Sequence, residues 1–159
     1  MKRIFHILSV TLLLAAVTGF AADKPDPIVI IVGAKSSLHD ISKSDLVRVF
    51  RGEKQSDGDG NKIVVLMRER RSPERAVVLK EIYQMSEEEY ETYFLQATFT
   101  GAVHAAPKKL SGADATRQFV ADNPGAIGYI RLSEVDDSVQ VVKIDGKSPN
   151  DPDYLLKQR

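Results

Sequence analysis

The sequence has no cysteine and no tryptophan, and beyond residue 22 it has only two histidines. Without thiols the chain has neither disulfide nor thiolate chemistry. His39 and His104 have no second His or Cys at a spacing typical of a metal site. Ser37-Leu-His39-Asp40 holds the residue types of a hydrolytic triad, but neighbours in sequence do not form such a relay. We therefore predict that the chain is not an enzyme and holds neither a metal nor a cofactor, with both histidines in surface loops.

A basic excess is also absent, because 22 Lys and Arg stand against 22 Asp and Glu. If Lys2 and Arg3 leave with an export signal, 20 basic residues remain against 22 acidic ones, a net charge of about −2. Proteins that bind nucleic acid carry a clustered basic excess. The charge balance therefore predicts no nucleic-acid partner.

The chain has one long apolar run, Ile4 to Val17, which follows the basic residues Lys2 and Arg3. The small residues of Gly19-Phe-Ala-Ala22 then provide a cleavage site. The run is too short for a comfortable transmembrane helix. We predict a cleavable signal peptide over residues 1–22 and a single domain over residues 23–159. A disulfide-free exported chain favours the bacterial periplasm.

Apolar runs alternate with amphipathic stretches along the rest of the chain. Each of the latter begins at a serine able to cap a helix. This alternation predicts an α/β fold with a mainly parallel sheet flanked by helices. Strands are expected at Ile28–Val32, Ile63–Met67, Ala126–Ile130 and Val139–Ile144, and helices at Asp45–Phe50, from Ser72, from Ser86 and at Ser111–Asn123.

The stretch "MRERRSPERA" (residues 67–76) joins a predicted buried strand to a predicted helix with Ser72 at its N-cap. Ligands of open α/β sheets bind at such strand ends, where the first helix amides are free. Arg68 can offer paired hydrogen bonds to an oxyanion, and Ser72 a hydroxyl. Pro73 removes one amide donor, and Glu74 adds a negative charge. The stretch thus predicts either an anion site or a charged, solvated turn.

Three stretches resemble one protein family: "ISKSDLVRVFRGEKQSDGDGNKIVVLMRERRS", "FTGAVHAAPKKL" and "FVADNPGAIGYI". They are similar to the substrate-binding proteins of phosphate ABC transporters, which have the type 2 periplasmic-binding-protein fold. The Pro-Gly-Ala-Ile-Gly-Tyr segment is the most specific of these motifs. The resemblance runs from about Ile28 to Ile130 and implies a phosphate-binding protein.

The resemblance places the family's phosphate-binding arginine at Arg68 and its serine at Ser72. The Gly-Thr that follows in the family is replaced by Pro73-Glu74, and the family's tryptophan is missing. Family members are roughly twice as long and close two lobes on the ligand, so this chain is expected to form one lobe with weak oxyanion affinity.

The candidate ligand-binding residues are Arg68, Arg71, Ser72 and Arg75, although solvent exposure is the favoured interpretation of Arg75, as it is of Arg70. The loop Gly33–Ser37 is expected to lie opposite them.

Two functions are therefore open. The first is phosphate or similar oxyanion binding in the periplasm, linked to ABC-type phosphate uptake through a membrane transporter. The second is a ligand-free periplasmic module that docks on a sensor, a porin or a transporter component.

Overall fold

A computed structural model of the protein describes residues 26–157, so the predicted signal peptide lies outside the described residues. Within this range no helix is long and apolar enough to cross a membrane. The strands are β1 (Ile28–Gly33), β2 (Asp40–Ile41), β3 (Val64–Arg68), β4 (Lys108–Leu110), β5 (Ala126–Arg131) and β6 (Val139–Ile144). The α-helices are α1 (Lys43–Phe50), α2 (Pro73–Val78), α3 (Glu87–Phe99) and α4 (Ala113–Asp122).

The six strands form one sheet in the order β2-β6-β1-β5-β3-β4. Strand β1 runs antiparallel to both of its neighbours, β5 and β6, while the other three neighbouring pairs are parallel. Five strands therefore point one way and β1 points the other. The predicted α/β fold with a mainly parallel sheet flanked by helices is confirmed.

The central strand β1 is covered on both faces, as its unbroken apolar run predicts. Its residues Ile28, Ile30 and Val32 pack in the core formed with α1, α2 and α3. Val29 and Ile31 point to the opposite face, where they pack in a second core with Val120 of α4. The sheet thus separates two apolar layers.

Helix starts follow the predicted serine caps in most places. The Ser42 hydroxyl accepts the Asp45 amide at 3.1 Å, and Ser86 and Glu89 form a reciprocal capping box at the start of α3. Helix α4 differs, because its N-cap is Gly112 and its buried residues are Thr116 and Val120. Ala115 of this helix is exposed, and the Thr116 hydroxyl avoids being a buried unpaired group by donating to the Gly112 carbonyl at 2.9 Å.

Helix α2 continues directly into a π-helical turn over Leu79–Tyr83, which ends at Gln84 in the left-handed conformation (φ 55°). One face of this segment is apolar and packs in the core, since Val78, Leu79, Ile82 and Tyr83 are all buried. The wider turn carries the chain from α2 to α3, so the two helix starts, at Ser72 and Ser86, lie beside one another around a common cavity.

Candidate functional site

Arg68 ends strand β3 and is buried, with 9% of its surface exposed. Its backbone N–H donates to the Tyr129 hydroxyl at 3.0 Å, and its carbonyl accepts from Arg75 Nη1 at 2.8 Å. The guanidinium nitrogens Nε and Nη1 are buried and have no hydrogen-bond partner among the described residues. The Glu69 carboxylate lies 3.6 Å from Nε, too far for a good hydrogen bond. Buried donors without a protein partner are rare, so this guanidinium is a candidate ligand for an oxyanion.

Ser72 occupies the N-cap of α2, with Pro73 in the first turn, as predicted. Its hydroxyl oxygen accepts the Arg75 amide at 3.1 Å. A serine hydroxyl is both a donor and an acceptor, so the cap leaves its proton available to a ligand.

Arg71 is exposed and adopts a positive φ of 71°, a conformation that is uncommon for residues other than glycine. It lies in the tight turn between β3 and α2, in which the Ser72 amide donates to the Glu69 carbonyl at 3.3 Å. Arg71 and Ser72 line a surface cavity of about 390 Å³, together with Lys80, Ser86 and other residues of the two helix starts. The structure therefore brings three of the four predicted site residues, Arg71, Ser72 and Arg75, to one open cavity, while Arg68 is not among its lining residues.

Arg75 is almost fully buried, with 1% of its surface exposed, so the expectation that it faces water is wrong. Its Nε and Nη2 donate to the two oxygens of Glu87 at 2.8 and 2.5 Å, and its guanidinium lies 4.8 Å from the centre of the Tyr90 ring. Together with the bond from Nη1 to Arg68, these contacts occupy all three nitrogens of the group. Arg75 therefore ties the end of β3 to the start of α3.

The charge balance around Arg75 favours its ionised pair with Glu87. Burial acts to lower the pKa of the Arg75 guanidinium, but the hydrogen bonds and the charge of Glu87 outweigh it and raise that pKa. The hydrogen bonds from Arg75 hold the pKa of the Glu87 carboxyl below its ordinary value. Arg70, as expected, is exposed, where it pairs with Glu87 and with Glu91.

Glu74, which the sequence places beside any bound anion, is buried and does not stand alone. Its Oε1 accepts a hydrogen bond from Arg131 Nε at 2.7 Å. Arg131 is the last residue of β5, the strand next to β3. It is absent from the predicted site residues, and only its position directly after the "GAIGYI" motif pointed to it.

The loop Gly33–Ser37 does not lie opposite Arg68, so that expectation is wrong. Because β1 runs antiparallel to β5, its last residues pair with the beginning of β5, as Val32 does with Ile127. Strand β3 starts at that same edge of the sheet and ends at Arg68 on the other edge. The Ser37 hydroxyl instead donates to Asp59 at 2.9 Å.

His39 and His104 are both exposed, in agreement with the prediction of surface loops. Among residues 26–157 no group of three or more His, Asp or Glu side chains is arranged to hold a metal ion.

Tyr129 connects the two strands of the site, and replacing it with phenylalanine tests that connection. Its buried hydroxyl accepts the Arg68 amide and donates to the Met67 sulfur at 3.3 Å, and burial raises the pKa of the phenol well above its ordinary value. We expect Tyr129→Phe to lower the free energy of unfolding by about 1–3 kcal/mol, because it leaves a buried N–H without a partner. Urea unfolding measures the change.

Tyr93→Phe is the matched control for this substitution. The Tyr93 hydroxyl donates to the Arg51 carbonyl at 3.0 Å from a partly buried position. Water can replace that contact, so the loss should be smaller. Equal losses in the two variants would contradict a special role for the Tyr129 hydroxyl.

Comparison with known proteins finds relatives whose names describe phosphate-binding proteins. No family model matches the chain. The chain is 30% identical over 139 residues to the phosphate-binding protein PstS of Bacillus subtilis, a match that covers 84% of this chain and 38% of that protein. None of the names of these relatives describes an enzyme.

Solved structures give the same picture. A candidate phosphate ABC transporter substrate-binding protein from Clostridium perfringens, solved with bound phosphate, matches with a TM-score of 0.63 and 27% identity over 77% of this chain and 46% of that one. An ABC-type phosphate transport receptor from Vibrio cholerae shares the fold, with a TM-score of 0.64, 18% identity and coverage of 78% and 48%. The chain thus spans about half the length of these proteins or less, and the predicted family resemblance is confirmed.

Proposed function

We propose, on the premise that this chain is similar to the phosphate-binding protein PstS, that it binds phosphate or a similar oxyanion at Arg68. The binding serves ABC-type phosphate uptake through a membrane transporter. The protein acts in the periplasm after removal of the signal peptide over residues 1–22.

The observation that carries the proposal is the Arg68 guanidinium, two buried nitrogens of which have no hydrogen-bond partner among residues 26–157. A cation held out of water gains strongly from an anionic partner, and an arginine matches the geometry of a tetrahedral oxyanion. The backbone of Arg68 is fixed in place, because its N–H and its carbonyl are hydrogen-bonded to Tyr129 and Arg75. An oxyanion at Arg68 would therefore meet unpaired donors on a side chain whose backbone is held in place.

Ser72 and Arg71 are proposed to assist Arg68 in binding the oxyanion. The Ser72 hydroxyl has a proton to donate, and the exposed Arg71 adds positive charge at the adjacent cavity. Arg75 is proposed to hold Arg68 in position and not to bind the anion itself, because its guanidinium nitrogens donate to Glu87 and to the Arg68 carbonyl.

Calorimetric titration of the protein lacking residues 1–22 with phosphate, and separately with sulfate, tests the proposal. We expect phosphate binding in the millimolar range or tighter, and a loss of about tenfold or more in Arg68→Gln, since a hydrogen bond to a charged group contributes roughly 1.5–3 kcal/mol. Arg48→Gln is the matched control: Arg48 is an exposed arginine of α1 paired with Asp45, and its loss should leave binding unchanged.

Two results would contradict the proposal: no heat and no thermal stabilisation by phosphate, or equal binding by the wild type and a folded Arg68→Gln protein. Urea unfolding of each variant verifies that the comparison is made between folded proteins.

The alternative, a ligand-free module that docks on a sensor, porin or transporter component, has one observation in its favour. Leu95 and Phe99 lie one helical turn apart on α3 and are 74% and 92% exposed. Large apolar side chains exposed together are typical of contact surfaces. Phosphate binding that is lost in Arg68→Gln would favour the first function over this one.

A further inference from the structure

The Arg68 side chain leaves β3 on the face of the sheet that packs against α4. Side chains alternate between the two faces along a strand, and Val64 and Leu66 of β3 pack in the second core together with Val120 of α4. Arg68 follows them in this alternation, and its neighbour on β4, Leu110, packs in the same core. The guanidinium therefore starts out towards the α4 layer, not towards the layer of α1, α2 and α3.

Glu69 links Arg68 to the start of α4 through a single oxygen atom. Its Oε2 accepts a hydrogen bond from the Gly112 amide at 3.4 Å, and the same Oε2 lies 3.6 Å from Arg68 Nε. Gly112 is the N-cap of α4 and has no side chain to cap the helix, whereas serines cap α1, α2 and α3. The guanidinium and the start of α4 therefore contact the same carboxylate oxygen.

The Glu69 carboxylate does not satisfy the donors that it contacts. Both of its distances exceed the range of about 2.7–3.2 Å that is typical of N–H···O hydrogen bonds. Only 9% of Arg68 is exposed, yet its Nε and Nη1 have no hydrogen-bond partner among residues 26–157. The Glu69 side chain is 44% exposed, so it can turn out into water without burying an unpaired charge. The carboxylate is therefore a loosely held group that an anion can replace.

A tetrahedral oxyanion at this position can bond the donors that Glu69 leaves unsatisfied. Its oxygens point in several directions, so it can accept from Arg68 Nε, from Nη1 and from the Gly112 amide at ordinary distances. The partial positive charge of the helix start adds to that of the guanidinium. Glu69 is itself an anion at neutral pH, because the pKa of its carboxyl is lowered, chiefly by its own backbone N–H and also by the charge of Arg68.

We propose that the oxyanion binds between the Arg68 guanidinium and the Gly112 amide at the start of α4, and that the Glu69 carboxylate occupies this position until the anion displaces it. The inference rests on the proposed function at Arg68 and deepens it in two ways. It locates the anion on the α4 side of the sheet, and it makes Glu69 an internal competitor that lowers the affinity for phosphate.

Glu69→Gln and Glu69→Asp test the competition in calorimetric titrations with inorganic phosphate. Glu69→Gln removes the competing charge, so we expect phosphate to bind about tenfold more tightly than to the wild type. Glu69→Asp keeps the charge but draws the carboxylate back by one methylene, away from Gly112 and Arg68, and we expect it to bind phosphate at least about threefold more tightly. If Glu69 acted only through its negative charge, Glu69→Asp would bind phosphate like the wild type.

Asp114→Asn is the matched control for the loss of charge. Asp114 lies in the first turn of α4, where its side chain is 92% exposed and pairs with Arg117 at 2.7 Å. Its replacement removes a negative charge from the same helix start without changing the contacts of Arg68. Because water and salt screen an exposed charge, we expect the affinity for phosphate to change by less than about twofold. Urea unfolding of each variant verifies that folded proteins are compared.

NMR spectroscopy locates the bound anion. When the wild type is titrated with phosphate, the amide signal of Gly112 should shift, because its acceptor changes from the Glu69 carboxylate to a phosphate oxygen. The Arg75 amide at the start of α2 donates to the Ser72 hydroxyl at 3.1 Å and serves as the internal reference, so its signal should shift less. In Arg68→Gln the Gly112 signal should stay unchanged.

The outcomes distinguish this inference from the proposed function. Three results overturn the position of the anion and the role of Glu69: unchanged or weaker binding by Glu69→Gln, binding like the wild type by Glu69→Asp, or a larger shift at Arg75 than at Gly112. If Arg68→Gln still abolishes phosphate binding in any of these cases, the proposed function stands. Absence of phosphate binding by both the wild type and Glu69→Gln overturns both.

Discussion

Glu87→Ala is expected to lower the free energy of unfolding by roughly 3–5 kcal/mol, the range found when one partner of a buried ion pair is removed. The substitution leaves Arg75 charged and almost fully buried, with the Arg68 carbonyl and the Tyr90 ring as its remaining partners. Urea unfolding at neutral pH measures the loss.

Glu91→Ala is the control for this substitution. Glu91 lies one turn further along α3 and pairs with the exposed side of Arg70 at 2.6 Å. Exposed pairs contribute at most about 1 kcal/mol, so the expected loss is small. If the two variants lost similar amounts of unfolding free energy, the burial of Arg75 would not be the reason for the stability that Glu87 contributes.

The same pair predicts a dependence of stability on pH. The pKa of Glu87 is lowered from its ordinary value of 4.5, chiefly by the hydrogen bonds from Arg75. A carboxyl whose pKa is lowered by folding contributes stability that is fully present above its unfolded pKa and is lost as pH falls through its folded pKa. The wild type should therefore lose stability below about pH 4.5, and Glu87→Ala should lose less over the same interval. If the unfolding free energies of the wild type and Glu87→Ala fell in parallel with pH, Glu87 would not be the group responsible for the loss of stability.

Gly125→Ala is the second substitution with a large expected effect, roughly 2–4 kcal/mol. Gly125 has φ +83°, and a Cβ added there would lie 2.4 Å from the Lys62 carbonyl oxygen. The Gly125 carbonyl also accepts the Val64 amide at 3.0 Å, so β3 and β5 start together at this point. A clash with rigid backbone would push the two strands apart.

Gly60→Ala isolates the contribution of that clash. Gly60 has the same φ of +83°, but a Cβ added there meets nothing within 4 Å. Its replacement should cost only the backbone strain, on the order of 1 kcal/mol. Urea unfolding of both variants gives the comparison, and equal losses would exclude the close contact as the reason for glycine in the Pro-Gly-Ala-Ile-Gly-Tyr segment.

Local signals were sufficient for most elements of the fold. The β-branched run of β1 and the serines at positions 42, 72 and 86 act through neighbours in sequence, so their strand and caps were predictable. Strand β4 had no such signal, because Lys108-Lys-Leu110 is neither apolar nor regularly alternating. It exists through pairing of Leu66 with Lys108 across the sheet, a contact that no local pattern encodes.

The candidate site was predictable in part for the same reason. The positions of Arg68 and Ser72 follow from a strand end and a helix start, which are local features. The burial of Arg75 depends on Glu87 in the next helix, and the location of Arg131 depends on which strand lies beside β3. The direction of β1 places the loop Gly33–Ser37 away from Arg68. A uniformly apolar run carries no signal of strand direction, so this placement could not be predicted from the sequence.

The central position of β1 also determines when this strand can pair during folding. This strand is near the beginning of the chain, yet its two hydrogen-bonded neighbours are formed by residues 126–144. Closing so long a loop slows folding, and until it closes the run "IVIIV" has neither partner strand nor cover. During most of synthesis this apolar segment therefore lacks its partner strands, which favours aggregation, and a product truncated before β5 never provides them.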